Sequence, residues 1–531
     1  MHASSHPSPR SPLSSQFVVR SSRSLRKSAA LRSARLPPAL AIVLAGGGLA
    51  PEAAAQLHVS YRDCDVGGTV DVVMTAPVGT FYATIAALTE GPTCFGPKHP
   101  VGCLDVDFLF IDLTLTIPSW FQVMPSPGTV VETLDIDNDP LLDGVVANVQ
   151  MTSLVNGKFT EKSNLCKVIF DSPDNWHHSL QPLIGDPAAV PAIELDDGRI
   201  ALFGAAGATG DACEAWEPWR QVSSALAPLA TGRGGHTVTR LQDGRVLVCG
   251  GADVNLAVLG SAELYDPLTD SWTATGAMTS VRAGHTASLL PDGRVLVTGG
   301  TTDVSDPLVG ATSALKSTEF YDPVTNGFSA GPAMQRAHVA HFATTLATGD
   351  VLIGAGGSYT TVFSIRIPAI DNHAQAFQVA TGAWTTEVTM KADRAGASAV
   401  LLNDGRVLVA GGIGGSLTSP TNLSSSETFD PVTAKWTSRG AMSVGRSGMP
   451  MVVLPGTGKV LVAGGATGTS VTTPVPTDLV ELFDPAANTF AIVASLPEAR
   501  AGSAAIVLKS NHAAILGGVG GVPTGVAIYH D

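Results

Sequence analysis

Beyond about residue 182 the chain repeats itself, and that repetition constrains the fold more than any other feature of the sequence. One unit reads Arg233-Gly-Gly-His236, Asp243-Gly-Arg-Val-Leu-Val-Cys-Gly-Gly251, Glu263-Leu-Tyr-Asp-Pro267 and Trp272. The next reads Arg282-Ala-Gly-His285, Asp292-Gly-Arg-Val-Leu-Val-Thr-Gly-Gly300, Glu319-Phe-Tyr-Asp-Pro323 and Phe328. Further copies start at Arg336, Arg394, Arg446 and Arg500, so the six arginines follow one another at 49, 54, 58, 52 and 54 residues. Paired glycines recur at 250–251, 299–300, 356–357, 411–412, 464–465 and 517–518.

Each unit is predicted to form four strands. The apolar run after Arg-x-Gly-His is the innermost, and Asp-Gly supplies the positive φ angles of a tight hairpin turn. Arg-Val-Leu-Val follows as a strand buried on both faces, closed by the glycine pair where the chain is crowded or needs positive φ. The third strand ends in Glu-x-Tyr/Phe, Asp-Pro makes the next turn, and the fourth opens on a Trp or Phe large enough to fill the wedge between neighbouring units.

Four strands in about 50 residues, with paired Gly and a recurrent Trp, resemble the kelch repeat of β-propellers, and the likeness spans residues 174–531. The propeller is similar to the central domain of galactose oxidase. A weaker first unit (Asp197-Gly-Arg-Ile-Ala-Leu-Phe-Gly204) and a last unit whose chain ends at Asp531 without a fourth strand complete the series. Asn175-Trp176 echoes that missing strand. The aromatics Trp176, Trp219, Trp272, Phe328, Trp384, Trp436 and Phe490 then count seven blades, the last closed by an N-terminal strand; six is the count if the first unit is not a blade. Closure removes an exposed sheet edge. The expected fold is all-β: a seven-bladed kelch propeller over 173–531 preceded by a small β-sandwich.

Residues 1–55 read as an export leader. Seven basic residues precede any acid, a short apolar run spans 36–50, and Ala53-Ala54-Ala55 offers a cleavage site. Cleavage there leaves 24 basic and 44 acidic residues, a net charge of −20. That balance excludes the clustered cations of a nucleic-acid binder, and no later apolar stretch is long enough for a membrane span. A secreted or cell-surface monomer without a cofactor is the expectation. Segment 56–172 alternates in strand fashion over Val70–Met74, Phe81–Ile85 and Val106–Ile117, which predicts the sandwich. Four of the six cysteines lie here; Cys64 with Cys166 and Cys94 with Cys103 is the favoured pairing of three, against free buried thiols.

Candidate chemistry is sparse. Asp135–Asp139 lacks the Gly and Glu of a calcium loop, with Pro140 and Val146 in their places, and reads as a solvated turn. His236, His285, His338 and His341 could line a metal funnel, but three of them come from separate repeats at matching places, which favours a structural role. Galactose oxidase relatives hold copper with two Tyr and two His; here Tyr265 and Tyr321 belong to the Tyr-Asp-Pro turn, Cys213 and Cys249 have no evident Tyr partner, and no catalytic triad, zinc spacing or phosphate loop occurs. In animal kelch proteins the positions matching Arg233, Arg282, Arg336, Arg394, Arg446 and Arg500 face acidic peptides, and the resemblance implies a ligand-binding ring at one mouth of the channel. The other role open to these arginines is pairing with Glu263, Glu319, Glu427 and Glu481 or capping backbone carbonyls. Long loops at 301–318, 358–375, 413–426 and 466–479 should emerge on one face. The functional expectation is a non-catalytic binding protein for a protein or polysaccharide partner. The alternative is a carbohydrate-active propeller enzyme such as a copper-radical oxidase.

Overall fold

The structure is a computed structural model. It describes 191–531 apart from short stretches (206–209, 219–221, 417–418, 469–474, 510, 521–524 and 530–531), together with Leu183, Trp176 and the backbone of the strands within 58–178. The chain divides into Met1–Ala54 and Ala55–Asp531. The expected leader, Trp219, the acidic turn after Asp135 and the strand expected past Val106 lie outside the described residues.

Seven antiparallel sheets make the propeller, six of four strands and that of blade 4 of five, its fifth being Val388–Thr389. Blades 1 to 6 occupy 192–226, 237–274, 286–330, 342–389, 398–438 and 451–492. Blade 7 takes its three inner strands from 504–529 and its outermost strand, Trp176–His178, from the other end of the repeat region. The innermost strands touch in order around the circle, and that of blade 7 (Ala504–Val507) returns to that of blade 1 (Ala192–Glu194). The ring is closed.

Local chemistry sets each blade. Gly244, Gly293 and Gly405 take φ of 86°, 89° and 85° in the first turn, where Asp243, Asp292 and Asp404 accept from the arginine two residues on. The second strands are buried at every position in blades 2 to 7, which is why they read as unbroken apolar runs. The glycine pair is steric as well as conformational: a Cβ on Gly250 would stand 2.5 Å from the Arg282 carbonyl, and one on Gly251 2.7 Å from that of Gly234.

The core lies between blades. Ala201, Phe203 and Ala215 of blade 1 pack with Val246, Val248 and Tyr265 of blade 2, while Leu516 and Ile528 of blade 7 pack with Leu202 and Trp216 of blade 1. Three fourth-strand indoles hydrogen-bond to the link leaving the preceding blade, whereas Trp436 packs against Phe342 with its Nε1 unpartnered. Trp272 donates to Ala227 O, Trp384 to Pro332 O and Trp176 to Ala494 O, each at 2.8 Å. Trp176 therefore does for blade 7 what Trp272 and Trp384 do for theirs.

Upstream, His58–Cys64, Thr69–Thr75 and Thr129–Asp135 form one sheet. Phe81–Ala87, Val146–Val155, Cys166–Ile169, Gln122–Val123 and Lys158–Lys162 form a second, and Glu90–Cys94 pairs with Cys103–Val106 as a hairpin. Cys94 stands opposite Cys103 in that register. No helix among the described residues is long and apolar enough to cross a membrane.

Candidate functional site at blade 4

In a four-stranded meander the link from second to third strand and the link into the next blade emerge at the same end, so the arginine turns and the long loops share one face. The loops are built rather than irregular. Blade 3 contributes the helix Pro307–Thr312, and blade 4 a hairpin, Gly357–Val362 with Ile365–Ile370. Blade 5 contributes Ile413–Ser416 with Ser419–Asn422. Bridges Val339↔Gly357, Ala395↔Ile413 and Ser447↔Ala466 stitch them to the arginine turns.

Four of the six repeat arginines turn inward. The side chains of Arg233, Arg282, Arg394 and Arg446 are 0% exposed. Each donates to the carbonyl of the first paired glycine, to a carbonyl of the link ahead of the third strand, and to the repeat carboxylate. Arg233–Glu263 and Arg282–Glu319 close at 2.7 Å and Arg394–Glu427 at 2.8 Å, with Arg446 paired to Glu481 in the same way. The carboxylates also cap backbone N–H groups of the turn, as Glu263 does for Ala230 and Thr231. Burial lowers the pKa of Arg394 and Arg446, opposed by their glutamates. Arg500 is buried too, donating to Gly525 O at 2.9 Å. These donors are committed to the blade itself, so they stiffen the mouth.

Blade 4 departs from the pattern. Arg336 does not occupy the ring position; its side chain is 42% exposed and pairs with Glu387 at 3.0 Å. The ring position belongs to His338, whose Nδ1 lies 2.8 Å from Ala355 O, seventeen residues on, as the sibling guanidinium lies from its glycine carbonyl. The structural counterpart of the glycine pair is likewise Ala355–Gly356, with φ of 65° and 94°, rather than 356–357. Repeat identity had placed the arginine two residues early. A count from the turn glycine finds the right residue: eleven positions ahead of Gly244, Gly293, Gly349 and Gly405 stand Arg233, Arg282, His338 and Arg394.

The partners of the ring residue change with it. Facing the second strand in register, Glu263, Glu319, Glu427 and Glu481 are matched by Gln375. Where Leu259, Leu315 and Leu423 accept the next blade's turn N–H, blade 4 has Asp371. Where Ser261, Ser317 and Ser425 stand, it has His373. His373 Nδ1 donates to Asp371 Oδ1 at 2.7 Å, and Asp371 Oδ2 lies 3.6 Å from His338 Nδ1. Burial lowers the His338 pKa against the pull of Asp371, so this ring is neutral at pH 7.

The remaining histidines are interblade fasteners. His236 Nε2 donates to Phe203 O at 3.0 Å, and His285 and His341 reach Thr237 and Thr286 hydroxyls of the preceding blade at 2.9 and 3.0 Å. Desolvation drives the first two to pKa values of about 4 and about 3 and His341 well down. No three His, Cys, Asp or Glu side chains among the described residues are grouped to hold a metal. The Tyr265 and Tyr321 hydroxyls donate to Asp270 and Asn326 within their own turns. Cys213 and Cys249 are free and buried, and burial raises both thiols to about 11.

The blade 4 hairpin is the other departure. Its tip residues Phe363 and Ser364 have φ of 46° and 66°, a conformation that bulky side chains avoid. Phe363 is 96% exposed, and Val362, Ile365 and Ile367 are exposed beside it. On the opposite face three of the four Asp-Pro turns carry a single exposed apolar residue, Leu268, Val324 and Val432.

No family model matches the chain, and no curated protein matches it. Solved structures similar to it include that of YjhT, at 17% identity and a TM-score of 0.44, with 59% of this chain and 98% of that chain covered.

Proposed function

We propose that this is an exported, kelch-type propeller that binds a protein partner through its long-loop face, with the blade 4 hairpin as the leading contact. The observation that carries this reading is Phe363, held almost wholly in solvent in a conformation that costs free energy. Neither packing nor folding calls for an apolar residue there, and clustered exposed apolar side chains mark interaction sites. The hairpin from 357 to 370 has no acidic residue and one cation, Arg366, stacked 4.3 Å over Tyr359 and bonded to Thr312 O. A surface of that kind suits an apolar cleft on a protein more than the hydroxyls of a polysaccharide. In the same reading, residues 1–55 are the export leader and the sheets of 58–169 form a β-sandwich accessory domain.

Peptide and glycan arrays probed at two salt concentrations test this. Wild-type protein should select polypeptide ligands, and Phe363→Ser with Ile365→Ser should abolish the signal while leaving the melting temperature unchanged. Selection of glycans, or signal indifferent to these substitutions, would overturn the reading. Stoichiometric copper in the purified protein would favour an oxidase instead.

A further inference from the structure

Four coordinated substitutions in blade 4 remove an arginine without removing the surroundings that hold one. In blades 2, 3, 5 and 6 the guanidinium spans from the glycine carbonyl to the third-strand carboxylate. His338 is shorter. It satisfies only the first of these, the Ala355 carbonyl. The far end is left open: Gln375 is 1% exposed, and neither its Oε1 nor its Nε2 has a hydrogen-bond partner. Asp371 Oδ2, equally enclosed, has none either, and the same holds for Glu387 Oε1. These groups converge. His373 and Gln375 share one face of their strand, Asp371 joins them through its contacts with His373 and His338, and the register Ala374↔Val388, continued by one residue, brings Glu387 opposite Gln375. Buried polar atoms without partners cost about 1–3 kcal/mol each, so a cluster of them is a site in want of an occupant. The local formal charge, from Asp371, Glu387 and Arg336 with His338 neutral, is negative.

We propose that this socket binds a guanidinium group from outside the blade, accepted by the Asp371 carboxylate and the Gln375 carbonyl where sibling blades seat their own arginine. The socket lies at the foot of the hairpin. The inference rests on the reading of that face only for the owner of the group, an arginine of the partner, and on the blade 4 residues alone for the site.

The probe is methylguanidinium chloride, titrated calorimetrically into the full chain, with tetramethylammonium chloride at equal ionic strength as the control that has charge but no N–H donors. Saturable binding with one site per chain is expected for methylguanidinium alone. Asp371→Asn should weaken it about tenfold, the effect of one charge-assisted hydrogen bond. The double variant His338→Arg, Gln375→Glu rebuilds the repeat pair, fills the socket from within, and should lose binding while melting at or above the wild-type temperature. Absence of saturable heat in the wild type, as when water alone fills the socket, overturns the proposal. So does binding that survives in the rebuilt double variant, or binding that appears only in Arg336→Ala. A negative result here leaves the hairpin reading standing, and a negative array with a positive titration does the reverse.

Discussion

The indole of Trp176 packs 5.1 Å from the ring of Tyr529, joining the first strand of the propeller region to the last. Around them Leu461, Leu482, Ala513 and Ile515 complete one interblade cluster. Replacing Trp176 with Ala removes both the wedge and the hydrogen bond to Ala494, and should cost about 3–5 kcal/mol in urea unfolding. It should also expose the edge of blade 7, with aggregation as the visible consequence. A variant as stable as wild type would mean that the ring is not fastened there.

The buried and open arginines should part company under mutation. Glu319→Gln leaves the Arg282 charge enclosed without its counter-charge and is expected to cost about 3–5 kcal/mol. Arg336→Ala breaks a half-exposed pair in high dielectric, worth about 0–1 kcal/mol. Denaturant midpoints of the two variants decide the matter, and equal losses would contradict the assigned burial.

Acid should loosen the ring through its histidines. His236, His285 and His341 are held neutral by desolvation, with folded pKa values below the unfolded value of about 6.5. The unfolded chain therefore binds more protons as pH falls. Stability is full above pH 6.5 and declines below it, by about 2 kcal/mol per imidazole at pH 5. Melting temperatures between pH 7.5 and 5 should fall steeply in wild type and less in His285→Gln; a flat profile would show that these rings are not desolvated.

The hairpin tip gives a stability test independent of binding. Replacing Phe363-Ser364 with Asn-Gly puts residues suited to positive φ at both positions and should raise stability by about 1 kcal/mol, while array binding disappears. A fall in stability would mean that Phe363 packs rather than protrudes.

The register of the upstream hairpin bears on its cysteines. Cys94 and Cys103 sit opposite one another across antiparallel strands, the separation at which a disulfide closes readily. Peptide mapping of the oxidised protein should recover the 94–103 link, and alkylation of both as free thiols would refute it.

Much of this architecture is written in local pattern. The Asp-Gly turns, the unbroken Val-Leu-Val strands and the wedge aromatics each answer to the backbone or to the nearest blade, so their spacing points to a closing strand at Trp176 and to seven blades, with six left open by the weak first unit that the fold shows to be blade 1. The inward role of Arg233, Arg282, Arg394 and Arg446 was one of two open readings, because an arginine's reach covers both solvent and the glutamate in the third strand. In blade 4 the repeated arginine misleads, although a count back from Gly349 reaches His338. A ring position is defined by which carbonyl a side chain reaches, seventeen residues on, and not by being arginine, which is why residue identity points to Arg336 and the hydrogen bond to His338. Only the tertiary structure brings Asp371, His373, Gln375 and Glu387 to one place, since hydrogen-bond register between strands sets those neighbours and chain distance does not.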